Sequence, residues 1–183
     1  MMKTNSNLII YLHGFRSSAK SNKFRLLQEM FPDEAVVSLS YSPHDPKLAS
    51  QQITKVILEE GAGMDDVLLI GTSLGGFWAR WAAASFGVSS ILINPALHPD
   101  ITLKAGNYDS YHDPKININV TQEVLVKFSD YKVSPTSEAC ACVLLAMDDD
   151  VIDAYTTKSE LEKCHEVICF ENGGHRFEQF SEM

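Results

Sequence analysis

A short segment sets the architecture that we expect for this chain: Leu68-Leu69-Ile70-Gly71-Thr72-Ser73-Leu74-Gly75-Gly76. It reads Gly-x-Ser-x-Gly directly after an apolar run and directly before residues with helical spacing. This context indicates a strand that reverses sharply into a helix and holds Ser73 in a strained, exposed turn. Gly71 and Gly75 flank the serine, and a Cβ atom at either position is expected to collide with the neighbouring strand or helix.

The predicted turn places the Ser73 hydroxyl at the N-terminus of the helix that follows. Unpaired N–H groups and the positive end of the helix dipole stabilise a developing oxyanion at such a position. The segment therefore indicates a nucleophile. A second interpretation stays open, because a tight strand-to-helix turn can carry these glycines for packing alone.

Apolar runs alternate with amphipathic segments along most of the chain. Six runs are predicted to be strands, at residues 8–12, 35–39, 67–70, 91–93, 142–146 and 167–170. Their alternation with helical spacing predicts an α/β fold, in which about six mostly parallel strands are covered on both faces by helices. Ligands of such sheets bind at the carboxyl ends of the strands, where Ser73 is expected to lie.

Residues 95–135 interrupt this alternation. They mix Pro, Asp, Asn and Tyr and contain one predicted helix, at about residues 120–128. Because they are too long for a plain crossover, we interpret them as a partial cap after the fourth strand, within one domain of residues 1–183. Five apolar or aromatic side chains are predicted to line a pocket beside Ser73: Leu97, Ile101, Leu103, Tyr108 and Tyr111. The alternative is that they pack only in a small core of the cap itself.

A nucleophilic serine needs a base to take its proton and an acid to orient that base. His175 follows the last predicted strand, and the two glycines before it let the loop bring its ring towards Ser73. Four aspartates follow the fifth strand: Asp148, Asp149, Asp150 and Asp153. The order Ser, Asp, His, each after its own strand, is that of α/β-hydrolases. At most one aspartate is expected to serve as the acid, while the others lie in a solvated loop or cap the next helix.

The composition restricts the classes of partner. The chain has 183 residues and a net charge of −9, from 24 acidic and 15 basic side chains, and it contains no basic block. This composition argues against nucleic acid and anionic membranes as partners. The first apolar run is too short for a signal peptide or a membrane span, so we expect a cytoplasmic protein.

The cysteines agree with that location. No two of the four cysteines form a Cys-x-x-Cys pair; they are Cys140, Cys142, Cys164 and Cys169. We interpret them as small buried apolar residues in a reducing compartment. His165 beside Cys164 gives poor geometry for zinc, and the sequence predicts no metal site.

Several short motifs together resemble a known family. They are Tyr11-Leu12-His13-Gly14-Phe15, Gly71 to Gly76 with Phe77-Trp78, Asn94-Pro95, Asp149-Asp150-Val151 and Gly174-His175-Arg176-Phe177. The combination is more specific than Gly-x-Ser-x-Gly alone, and it covers nearly the whole chain. In these motifs the chain resembles the small bacterial α/β-hydrolases of the YqiA/YcfP-like esterase type.

The resemblance implies a three-layer α/β-hydrolase fold and the cleavage of carboxylic esters through an acyl-serine intermediate. It implies Ser73 as nucleophile, His175 as base and Asp149 as acid, with an oxyanion hole formed by the backbone N–H groups of Phe15 and Leu74. We expect a small-molecule ester as substrate, with short acyl chains preferred, and no metal or organic cofactor. Two alternatives stay open, a thioesterase and a catalytically weak protein that uses the fold for binding.

Overall fold

The computed structural model describes residues 7–62, 66–134, 137, 139, 141–163 and 165–182. Its strands are β1 (Asn7–Leu12), β2 (Ala35–Leu39), β3 (Asp66–Thr72), β4 (Ser89–Ile93), β5 (Gly106–Asp109), β6 (Asn117–Val120), β7 (Ala141–Ala146) and β8 (Glu166–Phe170). Its α-helices are α1 (Asn22–Met30), α2 (Pro46–Glu60), α3 (Leu74–Phe86), α4 (Pro99–Thr102), α5 (Gln122–Lys127) and α6 (Ala154–Leu161). Two 3₁₀ helices lie at Phe128–Tyr131 and Glu178–Glu182.

The six predicted strands form one sheet in the order β2-β1-β3-β4-β7-β8, and all neighbouring strands in it are parallel. The expected α/β architecture is confirmed. The chain leaves β1 towards one edge of the sheet and then returns to place β3 on the other side of β1. The carboxyl ends of β1 and β3 therefore flank the point where the winding changes direction, which is where α/β sheets bind ligands.

Both faces of β1 are buried, which explains its uninterrupted apolar sequence. Leu8, Ile10 and Leu12 belong to the core cluster that includes side chains of α2 and α3, and Trp78 of α3 is fully buried in the same cluster. The intervening Ile9 and Tyr11 belong to a second cluster, with side chains of α1 and of the C-terminal segment. Burying an aliphatic or aromatic side chain of this size contributes about 1.5–3 kcal/mol, so β1 anchors both layers.

The residues between β4 and β7 contain more structure than the sequence indicated. Strands β5 and β6 form an antiparallel pair that was not predicted, and the expected helix is α5 followed by a 3₁₀ turn. Ile118, Val120 and Leu125 are buried in a small separate cluster. Phe15, from the loop after β1, packs against this cluster and so connects the insertion to the carboxyl edge of the sheet. The last predicted residue of the insertion, Pro135, lies outside the described residues.

The prediction of buried cysteines is wrong for Cys169, which is exposed on β8, an edge strand with a neighbouring strand on one side only. Cys142 is partly buried, while Cys140 and Cys164 lie outside the described residues.

In the described part of the chain, no helix combines the length and the apolar character needed to cross a membrane.

Candidate active site

Ser73 occupies the turn between β3 and α3 in an unusual conformation. Its φ of 54° and ψ of −119° lie in a region that non-glycine residues rarely adopt, at a cost of about 1–3 kcal/mol. Backbone hydrogen bonds hold the turn: Ser73 N–H donates to Ile93 O at 3.0 Å, and Ser73 O accepts from Ala96 N at 3.0 Å. The strained turn predicted from Gly-x-Ser-x-Gly is therefore present.

Two glycines allow the close approach of backbone around this turn. A Cβ atom on Gly75 would lie 2.0 Å from Leu12 O, at the carboxyl end of β1. A Cβ atom on Gly71 would lie 2.2 Å from Gly75 O. The first turn of α3 therefore rests directly against the end of β1, as the sequence indicated.

The three residues predicted for catalysis lie in one hydrogen-bonded row. His175 Nε2 is 3.0 Å from Ser73 Oγ, and His175 Nδ1 is 2.9 and 3.0 Å from the two carboxylate oxygens of Asp149. Because an ionised carboxylate only accepts hydrogen bonds, a neutral His175 carries its proton on Nδ1. Its Nε2 is then free to accept the Ser73 hydroxyl proton.

Among the four candidate aspartates, Asp149 is the one whose carboxylate contacts His175. Its side chain is only 1% exposed, and its Oδ1 also accepts hydrogen bonds from Val151 N at 2.8 Å and Ile152 N at 2.9 Å. Such bonds fix the orientation of the carboxylate towards the His175 ring. Among four aspartates that the residue pattern left open, the geometry thus places against His175 the one that the resemblance implied, Asp149.

The other aspartates have different surroundings. Asp148 Oδ1 accepts from Gly174 N at 2.8 Å and so braces the loop that carries His175. Asp153 is the N-cap of α6, and the Thr156 hydroxyl and backbone N–H lower the pKa of its carboxyl group. Asp150 is exposed.

The loop before His175 needs its two glycines. Gly173 has a φ of 143° and Gly174 a φ of 56°, both in the region that favours glycine. Asn94, which follows β4, is hydrogen-bonded to this loop. Its Nδ2 donates to Gly174 O at 3.0 Å and to His175 O at 3.3 Å. Its Oδ1 accepts from Ala146 N at 2.9 Å.

Sequence reasoning gave Asn94 no role of its own. It is buried and has a φ of 43°. One signal was present, because asparagine tolerates positive φ and here directly follows an apolar strand at the ligand-binding edge.

The loop after β1 lies beside the serine. A Cβ atom added to Gly14 would lie 3.4 Å from Ser73 Cβ, so this loop passes close to the serine. The next residue, Phe15, therefore lies at the edge of the site. His13 is buried, stacks on Tyr41 with ring centroids 4.7 Å apart, and donates from Nδ1 to Gly14 O at 2.8 Å. Burial lowers the pKa of His13 to about 4, so this ring is neutral at pH 7.

This buried histidine is expected to make stability depend on pH. Its pKa is about 4 in the folded chain and 6.5 for an ordinary histidine. The unfolded chain therefore binds the proton more readily, and the stabilisation is complete above pH 6.5 and is lost as the pH falls towards 4. Between pH 7 and pH 4.5 the loss should be about 2 kcal/mol. Urea unfolding of the wild type and of His13→Gln at both pH values measures this loss in the free energy of unfolding. An equally steep loss in the variant would show that His13 is not its cause.

A cavity of about 420 Å³ opens over Ser73. Phe15 and Leu74, whose N–H groups are predicted to bind the oxyanion, both line it. Of the five side chains predicted to line the pocket, only Leu103 and Tyr111 do so.

The other three of those pocket predictions are wrong for separate reasons. Leu97 is buried in the main core, because it follows β4 closely. Ile101 is 72% exposed. Tyr108 packs edge-on against Phe15, in the small cluster of the insertion.

Within the residues that the structure describes, no group of three or more His, Cys, Asp or Glu side chains is placed to hold a metal ion.

Comparison with known proteins gives two kinds of match. The family described as "Uncharacterised protein family (UPF0227)" matches residues 8–183. A UPF0227 protein of Vibrio parahaemolyticus is 32% identical over 177 residues, which are 96% of this chain and 94% of the relative. A UPF0227 protein of Shewanella sp. (strain MR-7) is 31% identical over 176 residues, 95% of this chain and 93% of the relative.

Solved structures show the same architecture at low sequence identity. Est1E from Butyrivibrio proteoclasticus with bound ferulic acid has a TM-score of 0.78 and 15% identity, over 97% of this chain and 86% of that chain. Alpha/beta hydrolase domain-containing protein 10 from mouse has a TM-score of 0.70 and 16% identity, over 92% of this chain and 82% of that chain. These matches show that the fold is that of the α/β-hydrolases.

Proposed function

We propose that this chain, which belongs to the UPF0227 family, hydrolyses carboxylic esters through an acyl-enzyme intermediate on Ser73. One observation carries the proposal, the row of hydrogen bonds from Ser73 Oγ through both nitrogens of His175 to Asp149. A base 3.0 Å from the hydroxyl and an acid 2.9 Å from the far side of that base are what an activated serine requires.

In the proposed reaction, Ser73 Oγ attacks the ester carbonyl while His175 Nε2 takes the hydroxyl proton. The carbonyl oxygen becomes an oxyanion, which the backbone N–H groups of Phe15 and Leu74 bind. His175 then gives the proton to the departing alcohol oxygen, and the acyl group stays on Ser73. A water molecule repeats the attack with the same base and releases the carboxylic acid, while Asp149 stays ionised and stabilises the imidazolium.

We assign the insertion between β4 and β7 the role of a partial cap within a single domain. It contributes Thr102, Leu103, Tyr111 and His112 to the cavity wall. It is also tied to the loop after β1, because Tyr111 N donates to Arg16 O at 2.8 Å. We also propose that the protein acts in the cytoplasm, as the sequence predicts.

Turnover of p-nitrophenyl butyrate by the purified protein, compared with Ser73→Ala, tests the proposed hydrolysis. Turnover that depends on Ser73 supports it. A folded protein that cleaves neither oxygen esters nor thioesters would instead favour the binding role.

The cavity is expected to favour short acyl chains. Each extra buried methylene adds at most about 0.8 kcal/mol, and a cavity of about 420 Å³ gives a long chain little additional burial. We therefore expect kcat/KM to be highest for p-nitrophenyl acetate or butyrate and to fall for octanoate and palmitate. Tyr111→Ala should shift this profile towards longer chains. Tyr108→Ala, at a tyrosine outside the cavity wall, is the matched control, and a steady rise through palmitate would contradict the short pocket.

A further inference from the structure

The cavity over Ser73 has the opposite charge to the rest of the chain. The whole sequence carries 24 acidic and 15 basic side chains. The residues that line the cavity nevertheless include Arg16, Lys23 and Arg176 and no aspartate or glutamate. A site of local positive charge on an otherwise anionic protein attracts anionic ligands and selects them over neutral ones.

The three cations come from separate parts of the fold and meet at one wall. Arg16 belongs to the loop after β1, Lys23 to the first turn of α1, and Arg176 directly follows His175. The guanidinium carbon of Arg16 lies 4.2 Å from the centroid of the Tyr111 ring, and that of Arg176 lies 6.0 Å from the same centroid. Both guanidinium groups are therefore beside the tyrosine that the insertion contributes to the cavity.

The Arg16 side chain is held in a fixed orientation. Its Nε donates to Asp109 O at 2.7 Å, and one terminal nitrogen donates to the Tyr111 hydroxyl at 3.3 Å. These bonds fix the planar group and leave its second terminal nitrogen for an anionic oxygen. A guanidinium with an imposed orientation loses less entropy on binding, which makes it a selective partner for anions.

Carboxylates do not neutralise this wall. Across the described ranges, none of the three cations forms an ion pair with Asp or Glu. Lys23 Nζ donates instead to the backbone oxygen of Arg176, and burial together with the Arg176 charge lowers the pKa of Lys23. Neighbouring cations without a counter-charge repel one another, and a bound anion relieves that repulsion.

We propose that the ester cleaved at Ser73 carries an anionic group, a carboxylate or a phosphate, which Arg16, Lys23 and Arg176 bind while the ester carbonyl lies at the serine. This inference rests on the proposed hydrolase function and adds the class of substrate. It assigns the three cations to substrate selection, apart from the proton transfer by His175.

Three esters of similar shape test the inference: methyl 4-acetoxybenzoate, which is neutral, 4-acetoxybenzoate, and 4-acetoxyphenyl phosphate. Each kcat/KM is divided by the rate constant for hydroxide-catalysed hydrolysis of the same ester, which corrects for leaving-group reactivity. We expect at least one anionic ester to exceed the neutral one by about tenfold or more, since hydrogen bonds to charged groups are the stronger ones. The preference should weaken at 0.5 M NaCl, because salt screens the attraction.

Variants show whether these cations cause the preference. Arg16→Gln, Lys23→Gln and Arg176→Gln should each lower the ratio of anionic to neutral kcat/KM several-fold. The ratio is the informative quantity, because a change that only disturbs the nearby loops lowers both rates together. Arg25→Gln is the matched control: Arg25 lies on the same helix as Lys23 but is exposed and paired with Glu29, so its ratio should stay at the wild-type value.

The outcomes separate this inference from the proposed function. Equal or better turnover of the neutral ester, or ratios unchanged in all three cation variants, would overturn the anionic substrate and leave ester hydrolysis standing. A wild-type protein that cleaves p-nitrophenyl butyrate but none of the three esters would overturn the anionic substrate alone, and one that cleaves none of the four would overturn both. A preference for 4-acetoxybenzoate identifies a carboxylate substrate, and a preference for the phosphate identifies a phosphorylated one.

Discussion

Replacement of Ser73 by Ala is expected to lower kcat for p-nitrophenyl butyrate by at least about 10⁴-fold. The loss should be this large because His175 Nε2 is 3.0 Å from Ser73 Oγ, so its basicity is directed at this hydroxyl. Thr72 also lines the cavity, but its hydroxyl is hydrogen-bonded to Tyr11 Oη at 3.0 Å. Without Ser73, the proposed mechanism retains only the N–H groups assigned to the oxyanion and a base without a nucleophile.

Steady-state kinetics measures the loss of kcat in Ser73→Ala, and covalent labelling identifies the nucleophile. An organophosphonate probe should form an adduct on Ser73, located by mass spectrometry, and Ser73→Ala should remain unlabelled. Ser85→Ala is a suitable control, since Ser85 lies in the same helix but donates to Trp81 O at 2.8 Å, far from the turn. An adduct on another residue, or activity in Ser73→Ala above a hundredth of wild type, would show that the nucleophile lies elsewhere.

The sheet was predictable because its signal is local. A parallel strand buried on both faces needs a continuous apolar run, and all six runs became neighbouring strands. The turn at Ser73 was predictable for the same reason, since Gly71 and Gly75 mark a close approach of backbone within a few residues of the serine.

Features that depend on distant partners were not predictable. Asn94 acts on Gly174, 80 residues further along the chain, and Arg16 donates to Asp109, 93 residues away. The β5–β6 pair escaped prediction because its strands have four residues each and no two-residue turn joins them. The acid was predicted as Asp149 from the family resemblance, whereas the residue pattern alone left four aspartates open, because the turn after β7 determines which carboxylate points at the His175 ring.

That turn leads to the second large effect, which is expected for Asp149→Asn. An asparagine presents an amide where the carboxylate accepts from His175 Nδ1, so the ring loses the partner that keeps the proton on Nδ1 and stabilises the imidazolium. A loss of about 10³- to 10⁴-fold in kcat is expected, with little change in KM. The rates of p-nitrophenyl butyrate hydrolysis by Asp149→Asn and by the corresponding variants of the three neighbouring aspartates provide the measurement.

The variants of the three neighbouring aspartates should each lose less rate than Asp149→Asn, because the carboxylate bonded to His175 is that of Asp149. Asp148→Asn retains a side-chain oxygen that can accept from Gly174 N, so it should lose far less rate than Asp149→Asn. Asp153→Asn keeps a good N-cap residue for α6, so its rate and thermal stability should stay near wild type. Asp150 is exposed, and its replacement should have the smallest effect. If Asp150→Asn or Asp153→Asn lost as much rate as Asp149→Asn, the hydrogen bonds from His175 to Asp149 would not be the ones used in catalysis.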